Sequence, residues 1–375
     1  MTAPDPVYLD FNATTPLDPQ AREAMLPFLS GEFGNPSSSH PLGKRARAAV
    51  EEARAEVALL LGATPDEVVF TGGGTEANNL AIQGVAAAHR GGRREILHSS
   101  VEHPAVSEPC RHLASRGFTV TELPVDGHGV VREAAWQERL TGQTLMISVM
   151  HANNEVGSIQ PLAAISRRAR AVGALLHSDA AQTPGRVPLH VHELGLDLCT
   201  LVPHKFHGPK GVGVLFIRAG LTVAPQVLGA GHERGLRSGT ENVAALVATG
   251  VAARLARQRQ AEDAAWMEAL RERLWNSLSA RVPGLWRNSP PGGLCNTLHV
   301  SFGGRSGAEV LSRAPTVMAS VGSACHGTGL SAVLTAMGVG GEQAAGAVRL
   351  SLGRTTSQDD VDRAAAALAD AARGG

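Results

Sequence analysis

From residue 67 to about 220 the chain repeats one pattern. Short runs of apolar and β-branched residues alternate with longer segments whose apolar positions fall three or four apart. The runs at 68–71, 95–99, 119–123, 145–149, 174–178, 198–202 and 213–217 read as strands. Helices are expected to start near Thr75, Pro104, Arg132 and Pro161. Strands alternating with helices imply crossover connections and a mostly parallel, seven-stranded sheet, hence an α/β fold. In such sheets ligands bind at the carboxyl ends of the strands.

The flanks show other patterns. Residues 41–62 predict an amphipathic helix, with Pro41 in the first turn and Gly62 as the stop. Its buried stripe would be Ala46, Val50, Ala53, Val57, Leu60 and Leu61. An Ala/Arg/Glu/Leu-rich stretch at 240–280 predicts a long helix, then short strands near 297–302 and 348–351 and a last helix near 357–373. These divide the chain into three parts. Residues 1–30 form an N-terminal segment too poor in apolar residues to fold alone, expected to pack on the smaller domain. Residues 31–240 form a large ligand-binding domain, and residues 241–375 a smaller α+β domain.

Composition narrows the function. The 34 Lys+Arg balance 34 Asp+Glu, and this zero net charge counts against nucleic-acid binding. No run of about eighteen apolar residues predicts a membrane helix, and the first twenty residues lack an apolar signal core, so a cytoplasmic protein is expected. Only three of the basic residues are lysines: Lys44, Lys205 and Lys210. Any lysine chemistry therefore has three candidates.

Three features fall at strand ends. Gly72-Gly73-Gly74-Thr75-Glu76 opens a helix, where successive backbone N–H groups suit an anion. Its pattern is neither that of a dinucleotide fingerprint nor that of a Walker loop. Asp179 closes the apolar run from Ala174 and could hold a protonated ring nitrogen, or merely act as a helix cap. Lys205 comes directly after the 198–202 run; lysine forms an imine and arginine does not. Lys44 falls on a solvated helix face, and Lys210 reads as a charge partner in a turn. His204 and His207 lack a third ligand, so no metal site is expected. An anion loop, a carboxylate and a lysine in this order meet the needs of pyridoxal 5'-phosphate (PLP). His103, after the 95–99 run, could stack on the ring and move protons, or simply cap a helix.

Cys325 stands apart from Cys110, Cys199 and Cys295. Those three fall on or beside apolar elements, whereas Cys325 lies in the small-residue run from Val321 to Gly329, next to His326. Such a setting suits a nucleophile that collects a group and passes it on.

With these motifs in view, the chain resembles the cysteine desulfurases of the NifS/IscS type, class V members of the fold-type I PLP-dependent transferases. The resemblance is carried by Tyr8-Leu9-Asp10-Phe11-Asn12-Ala13-Thr14-Thr15-Pro16, Gly34-Asn35-Pro36-Ser37-Ser38, Thr71-Gly72-Gly73-Gly74-Thr75-Glu76-Ala77-Asn78-Asn79, Glu102-His103-Pro104-Ala105-Val106 and His151-Ala152-Asn153-Asn154-Glu155-Val156-Gly157. It continues through His177-Ser178-Asp179-Ala180-Ala181-Gln182, His204-Lys205, Arg237-Ser238-Gly239-Thr240, Gly322-Ser323-Ala324-Cys325 and Arg349-Leu350-Ser351.

The resemblance implies roles. Lys205 would carry the cofactor as a Schiff base, Asp179 would pair with the ring nitrogen and Gln182 with the ring hydroxyl. His103 would stack on the ring and serve as acid and base. Gly74, Thr75 and His204 would hold the phosphate, joined by Thr240 from the neighbouring subunit of a homodimer. Asn154 and Arg349 would hold the substrate carboxylate, and Cys325 would accept sulfur. The implied activity converts L-cysteine to L-alanine and passes sulfur, through a persulfide, to an acceptor protein for iron–sulfur cluster or thio-cofactor synthesis. Two alternatives stand beside it: a selenocysteine lyase and a catalytically inert partner with the same fold. Where the family carries a serine three residues before the lysine, this chain has Val202. With Met318-Ala319-Ser320-Val321-Gly322, that position is similar to the selenocysteine lyases.

Overall fold

The computed structural model describes residues 5–321 and 330–373. In chain order the elements are β1 (Val7–Tyr8), α1 (Pro19–Leu29), α2 (Pro41–Leu61), β2 (Val68–Thr71), α3 (Gly74–Ala88), β3 (Glu95–Ser99), α4 (Pro104–Ala114) and β4 (Thr119–Leu123). It continues with α5 (Glu133–Arg139), β5 (Thr144–Ser148), α6 (Leu162–Val172), β6 (Leu175–Asp179), α7 (Val191–Leu194), β7 (Leu198–Leu201) and β8 (Gly213–Ile217). The remainder is α8 (Val243–Arg281), β9 (Trp286–Arg287), β10 (Thr297–Ser301), α9 (Gly307–Arg313), β11 (Val317–Met318), α10 (Ala332–Ala336), α11 (Gly341–Ala345), β12 (Ala347–Ser351) and α12 (Gln358–Arg373).

The central sheet has seven strands in the order β2-β8-β7-β6-β5-β3-β4. Only β8 runs against its neighbours, pairing antiparallel with both β2 and β7; the other pairings are parallel. The inner strands β5, β7 and β8 are buried along their whole length, as a sheet covered by helices on both faces requires. The carboxyl ends of β2, β3, β5, β6 and β7 therefore emerge along one edge, with the loops that succeed them.

Local chemistry sets the helices. In α2, His40 caps the start through its Nδ1, which accepts from the Gly43 N–H at 3.3 Å, and Gly62 closes it at φ 65°. The 39-residue α8 joins two cores. Ala245, Leu246, Ala252, Ala253 and Ala256, in its first half, pack with the large sheet. Leu270, Leu274 and Leu278, in its second half, pack with the three-stranded sheet β12-β10-β9 and with α12. Gly250 lets α8 cross α2 closely: a Cβ there would stand 2.6 Å from the Ala53 Cα. No described helix is long and apolar enough to cross a membrane.

The N-terminal segment belongs to both cores' surroundings. β1 pairs in parallel with β11, and Val7 and Leu9 enter the smaller core. Past Asp10 the chain leaves this core and runs across the edge where the strand ends of the large sheet open.

Candidate active site

A cavity of about 890 Å³ opens at that edge. Its wall takes Gly74 and Thr75 from the start of α3, His103 from the loop after β3, Asn154 from the loop after β5, and Asp179 and Gln182 from the end of β6. His204 and Lys205 come from the turn after β7, and Arg349 comes from β12. The structure thus brings nine of the eleven sequence-predicted residues to one cavity. Thr240 is exposed and lines neither this cavity nor the smaller one beside Gly72–Gly74 and Lys210. Cys325 lies outside the described residues.

Lys205 is placed by a tight turn, Pro203–Lys205, immediately after β7. Its Nζ donates to the carbonyls of Asn12 and Ala13, both at 2.7 Å. Thr15 ties the same turn to the N-terminal segment: its N–H donates to the His204 carbonyl at 2.9 Å and its Oγ1 accepts from the His207 N–H at 2.8 Å. Burial pushes the Lys205 ammonium down to about 8, and the nearby Arg349 and Arg186 push the same way. A lysine tuned so has a far larger neutral, nucleophilic fraction at neutral pH than a surface lysine.

Asp179 ends β6 with its side chain buried. Its Oδ1 accepts from the Ala181 N–H at 3.0 Å and its Oδ2 from the Asn78 side-chain amide at 2.8 Å. His103 does both things its sequence position allowed. Its Nδ1 caps α4 by accepting from the Ala105 N–H at 3.1 Å, while its ring is exposed at the cavity. That bond uses the Nδ1 lone pair, so the neutral ring carries its proton on Nε2. Glu102, beside it, accepts from the Ser99 hydroxyl at 2.5 Å and the Met150 N–H at 2.7 Å, which joins the loops after β3 and β5. Burial, with Asp179 adding its charge, raises Glu102 to about 8.

His204 has its Nδ1 against the Thr14 hydroxyl at 3.1 Å, and burial beside Lys205 and Lys210 pushes it down to about 4. A neutral imidazole can meet an anion only as an N–H donor. Gln182 is engaged at both ends: its Nε2 donates to the Asn12 carbonyl at 3.0 Å and its Oε1 accepts from Arg186 at 2.6 Å. Arg349 donates from Nη1 to the Asn154 carbonyl at 3.1 Å and from Nη2 to Asp10 at 2.7 Å. At the start of α3, Val202 packs on Gly74; a Cβ on that glycine would lie 2.4 Å from the Val202 Cγ2.

The residues present fit PLP. Asn78 Oδ1, Glu102 Oε2, Ser100 Oγ and Arg349 Nε are buried, belong to residues of the cavity wall, and have no hydrogen-bond partner among the described residues. Buried polar atoms left so are costly, and a polar ligand in the cavity relieves the cost. The donor set matches an aldehyde (Lys205), a pyridinium (Asp179) and a phosphate (the Gly72–Thr75 helix start).

Sequence reasoning did not single out Asp10, Asn78, Glu102 or Arg186. Asp10, Asn78 and Glu102 stand inside motifs that carry the family resemblance, and that was a signal. Arg186 gave none, because only the fold brings it to Gln182.

The site and the sheet define an α/β enzyme of the PLP-dependent transferase class. The Aminotransferase class-V family matches residues 7–364, and the chain belongs to it. It is similar to the cysteine desulfurase IscS of Dictyoglomus turgidum (strain DSM 6724 / Z-1310), with 43% identity over 95% of this chain and 92% of that protein. IscS of Rickettsia akari (strain Hartford) is 40% identical over 96% of this chain and 89% of its own length. Among solved structures, a NifS-like protein matches with a TM-score of 0.92 and 37% identity, covering 97% of this chain and 98% of that one. The structure described as SspA in complex with cysteine matches at 0.82 and 33%, covering 94% and 100%. The enzymes of this family work with PLP.

Proposed function

We propose that this protein is a PLP-dependent cysteine desulfurase. It takes sulfur from L-cysteine, releases L-alanine and keeps the sulfur as a persulfide on Cys325, from which an acceptor protein collects it for iron–sulfur cluster or thio-cofactor synthesis. The reading rests above all on Lys205. Its Nζ, held between the carbonyls of Asn12 and Ala13, belongs to the same cavity as Asp179 and Arg349.

Bound PLP supplies an electron sink in conjugation with the substrate's α-carbon. The chain's residues do the rest. The start of α3, with Gly74, Thr75 and the His204 N–H, binds the phosphate, and Thr240 of a second subunit completes this site in a homodimer. Asp179 keeps a proton on the ring nitrogen, and Gln182 meets the ring hydroxyl. Arg349 and Asn154 hold the substrate carboxylate. Once free, the Lys205 amine takes the α-proton, and His103 moves later protons at Nε2. The thiolate of Cys325 attacks the substrate sulfur: the new S–S bond forms as the C–S bond breaks, and the electron pair stays with the alanine carbon skeleton, which is then protonated. Cys110, Cys199 and Cys295 are buried, and burial raises each thiol, Cys110 to about 12 and Cys295 to about 11. They are poor nucleophiles by comparison.

Val202, packed on Gly74 at the position where the family resemblance implies a serine, favours a second reading, selenocysteine lyase. Purified enzyme with PLP and a reductant is to be given L-cysteine or L-selenocysteine, with alanine and released chalcogen measured. Equal alanine and sulfide from L-cysteine supports the desulfurase. Alanine from L-selenocysteine alone overturns it in favour of the lyase, and alanine from neither leaves the inert partner.

A further inference from the structure

The strand end that carries Asp179 has a neighbour that the sequence motifs leave without a role. Asn78 lies one turn into α3, three residues after Thr75, and is 1% exposed. Its side-chain amide donates to Asp179 Oδ2 at 2.8 Å, across 101 residues of chain. The Ala181 N–H donates to Oδ1 at 3.0 Å. Each carboxylate oxygen therefore has one fixed donor, which sets both the plane of the carboxylate and its distance from the cavity. Asn78 itself belongs to the cavity wall, and its own Oδ1 is buried without a partner among the described residues. An asparagine spent only on packing would not leave a buried carbonyl so.

We propose that Asn78 is a positioning residue for the reaction: it fixes the Asp179 carboxylate against the cofactor's ring nitrogen and ties it rigidly to the helix that holds the phosphate. The inference rests on the PLP reading of this cavity. One rigid helix would then set two contacts of one cofactor. Its first turn meets the phosphate, and its second meets the carboxylate that anchors the opposite end of the ring. Positioning to within fractions of an ångström is what such catalysis requires, because proton retention on the ring nitrogen falls off steeply with distance and angle.

The test compares Asn78→Leu, which keeps the branched shape and removes the donor, with Asn78→Ser, which shortens the reach; either variant that folds decides the matter. Melting of the apoprotein reports folding. Equilibrium dialysis gives the dissociation constant for PLP, and the nitrogen-15 shift of ring-labelled PLP reports the ring proton. The expected result is a protein that melts near the wild type but binds PLP about tenfold more weakly. Its ring-nitrogen signal moves toward the unprotonated position near pH 8, and its turnover falls by about tenfold or more. An unchanged ring-nitrogen shift together with turnover within twofold of wild type overturns the proposal. Asp179→Asn is run in parallel. If it also leaves the ring nitrogen unchanged, the PLP reading of the cavity is what fails. If it moves the signal and the Asn78 variants do not, the Asn78 assignment alone fails.

Discussion

Asp10 and Arg349 stand 339 residues apart in the chain, and their side chains meet at 2.7 Å, carboxylate Oδ1 to guanidinium Nη2. Arg349 is buried, with Nη1 on the Asn154 carbonyl and Nε left without a partner among the described residues. Asp10 thus holds one edge of the guanidinium, and the substrate carboxylate proposed for Arg349 would take another. Arginine's planar fork makes this division possible.

Asp10→Asn should therefore loosen Arg349 without touching the reacting atoms. The KM for L-cysteine is expected to rise roughly tenfold with kcat little changed. Stability should fall by about 1–3 kcal/mol, below the range for fully buried pairs because Asp10 is partly exposed. Steady-state kinetics and thermal melting check both. A lower KM would mean that Asp10 competes with the substrate rather than orients its partner.

Lys205→Ala should leave no borohydride-reducible link between PLP and protein, and Lys205→Arg should fail equally, since guanidinium forms no imine. The lowered Lys205 value also gives a pH dependence. Attack on the PLP aldehyde needs the neutral amine, whose fraction grows as pH rises through about 8 instead of the ordinary 10.5. Stopped-flow reconstitution of the apoprotein should accelerate from pH 7 to 8.5 and level off near pH 9. A rise centred near 10.5 would show that Lys205 is not held as described.

Gly74 and Val202 behave as one unit of volume. Gly74→Ala alone puts a Cβ 2.4 Å from the Val202 Cγ2. It should cost about 1–3 kcal/mol by overpacking and weaken PLP binding at the phosphate end. Adding Val202→Ser removes that methyl and should restore both, with a further gain in PLP affinity from the new hydroxyl. A double-mutant cycle on PLP dissociation constants measures the coupling. Simple additivity would show that the two side chains do not share the space.

Cys325→Ser should bind L-cysteine and form almost no persulfide. Mass mapping after addition of L-cysteine, with free thiols alkylated, is expected to find the extra sulfur at Cys325 and none at the buried Cys110, Cys199 and Cys295. Persulfide on any of those three, or normal sulfide release by the Ser variant, would exclude Cys325 as the acceptor.

The strands of the large sheet were legible because each is a short run rich in apolar or β-branched residues with a clear break after it. The runs at 95–99, 119–123 and 213–217 coincide with β3, β4 and β8, while those at 145–149 and 174–178 sit one residue from β5 and β6. The two-residue strands β1, β9 and β11 left no period to read. Helix α1 was not expected either: Pro27 lies inside it and its exposed Leu26 and Leu29 blur the stripe, although Pro19 in its first turn and Asp18, whose Oδ1 accepts from the Gln20 N–H at 2.7 Å, mark its start. The antiparallel direction of β8 was invisible for another reason. A buried strand reads alike in either direction, and only pairing with β2 and β7 decides.

The same division holds at the site. The sequence by itself determined which residue types could do the chemistry: one lysine at a strand end, a carboxylate closing another strand, a glycine-rich helix start and one cysteine in a small-residue run. Those choices are local, because strand ends and helix starts are set within a few residues. Tertiary structure alone decided what each group leans on. Lys205 is held by Asn12 and Ala13 from the far end of the chain, Arg349 by Asp10, and Asp179 by Asn78. These partners are separated by 101 to 339 residues, and a hydrogen bond is short-ranged and indifferent to sequence distance. Burial likewise exists only once the chain has closed over the cavity, so the lowered Lys205 ammonium and the raised Glu102 carboxyl are products of the fold.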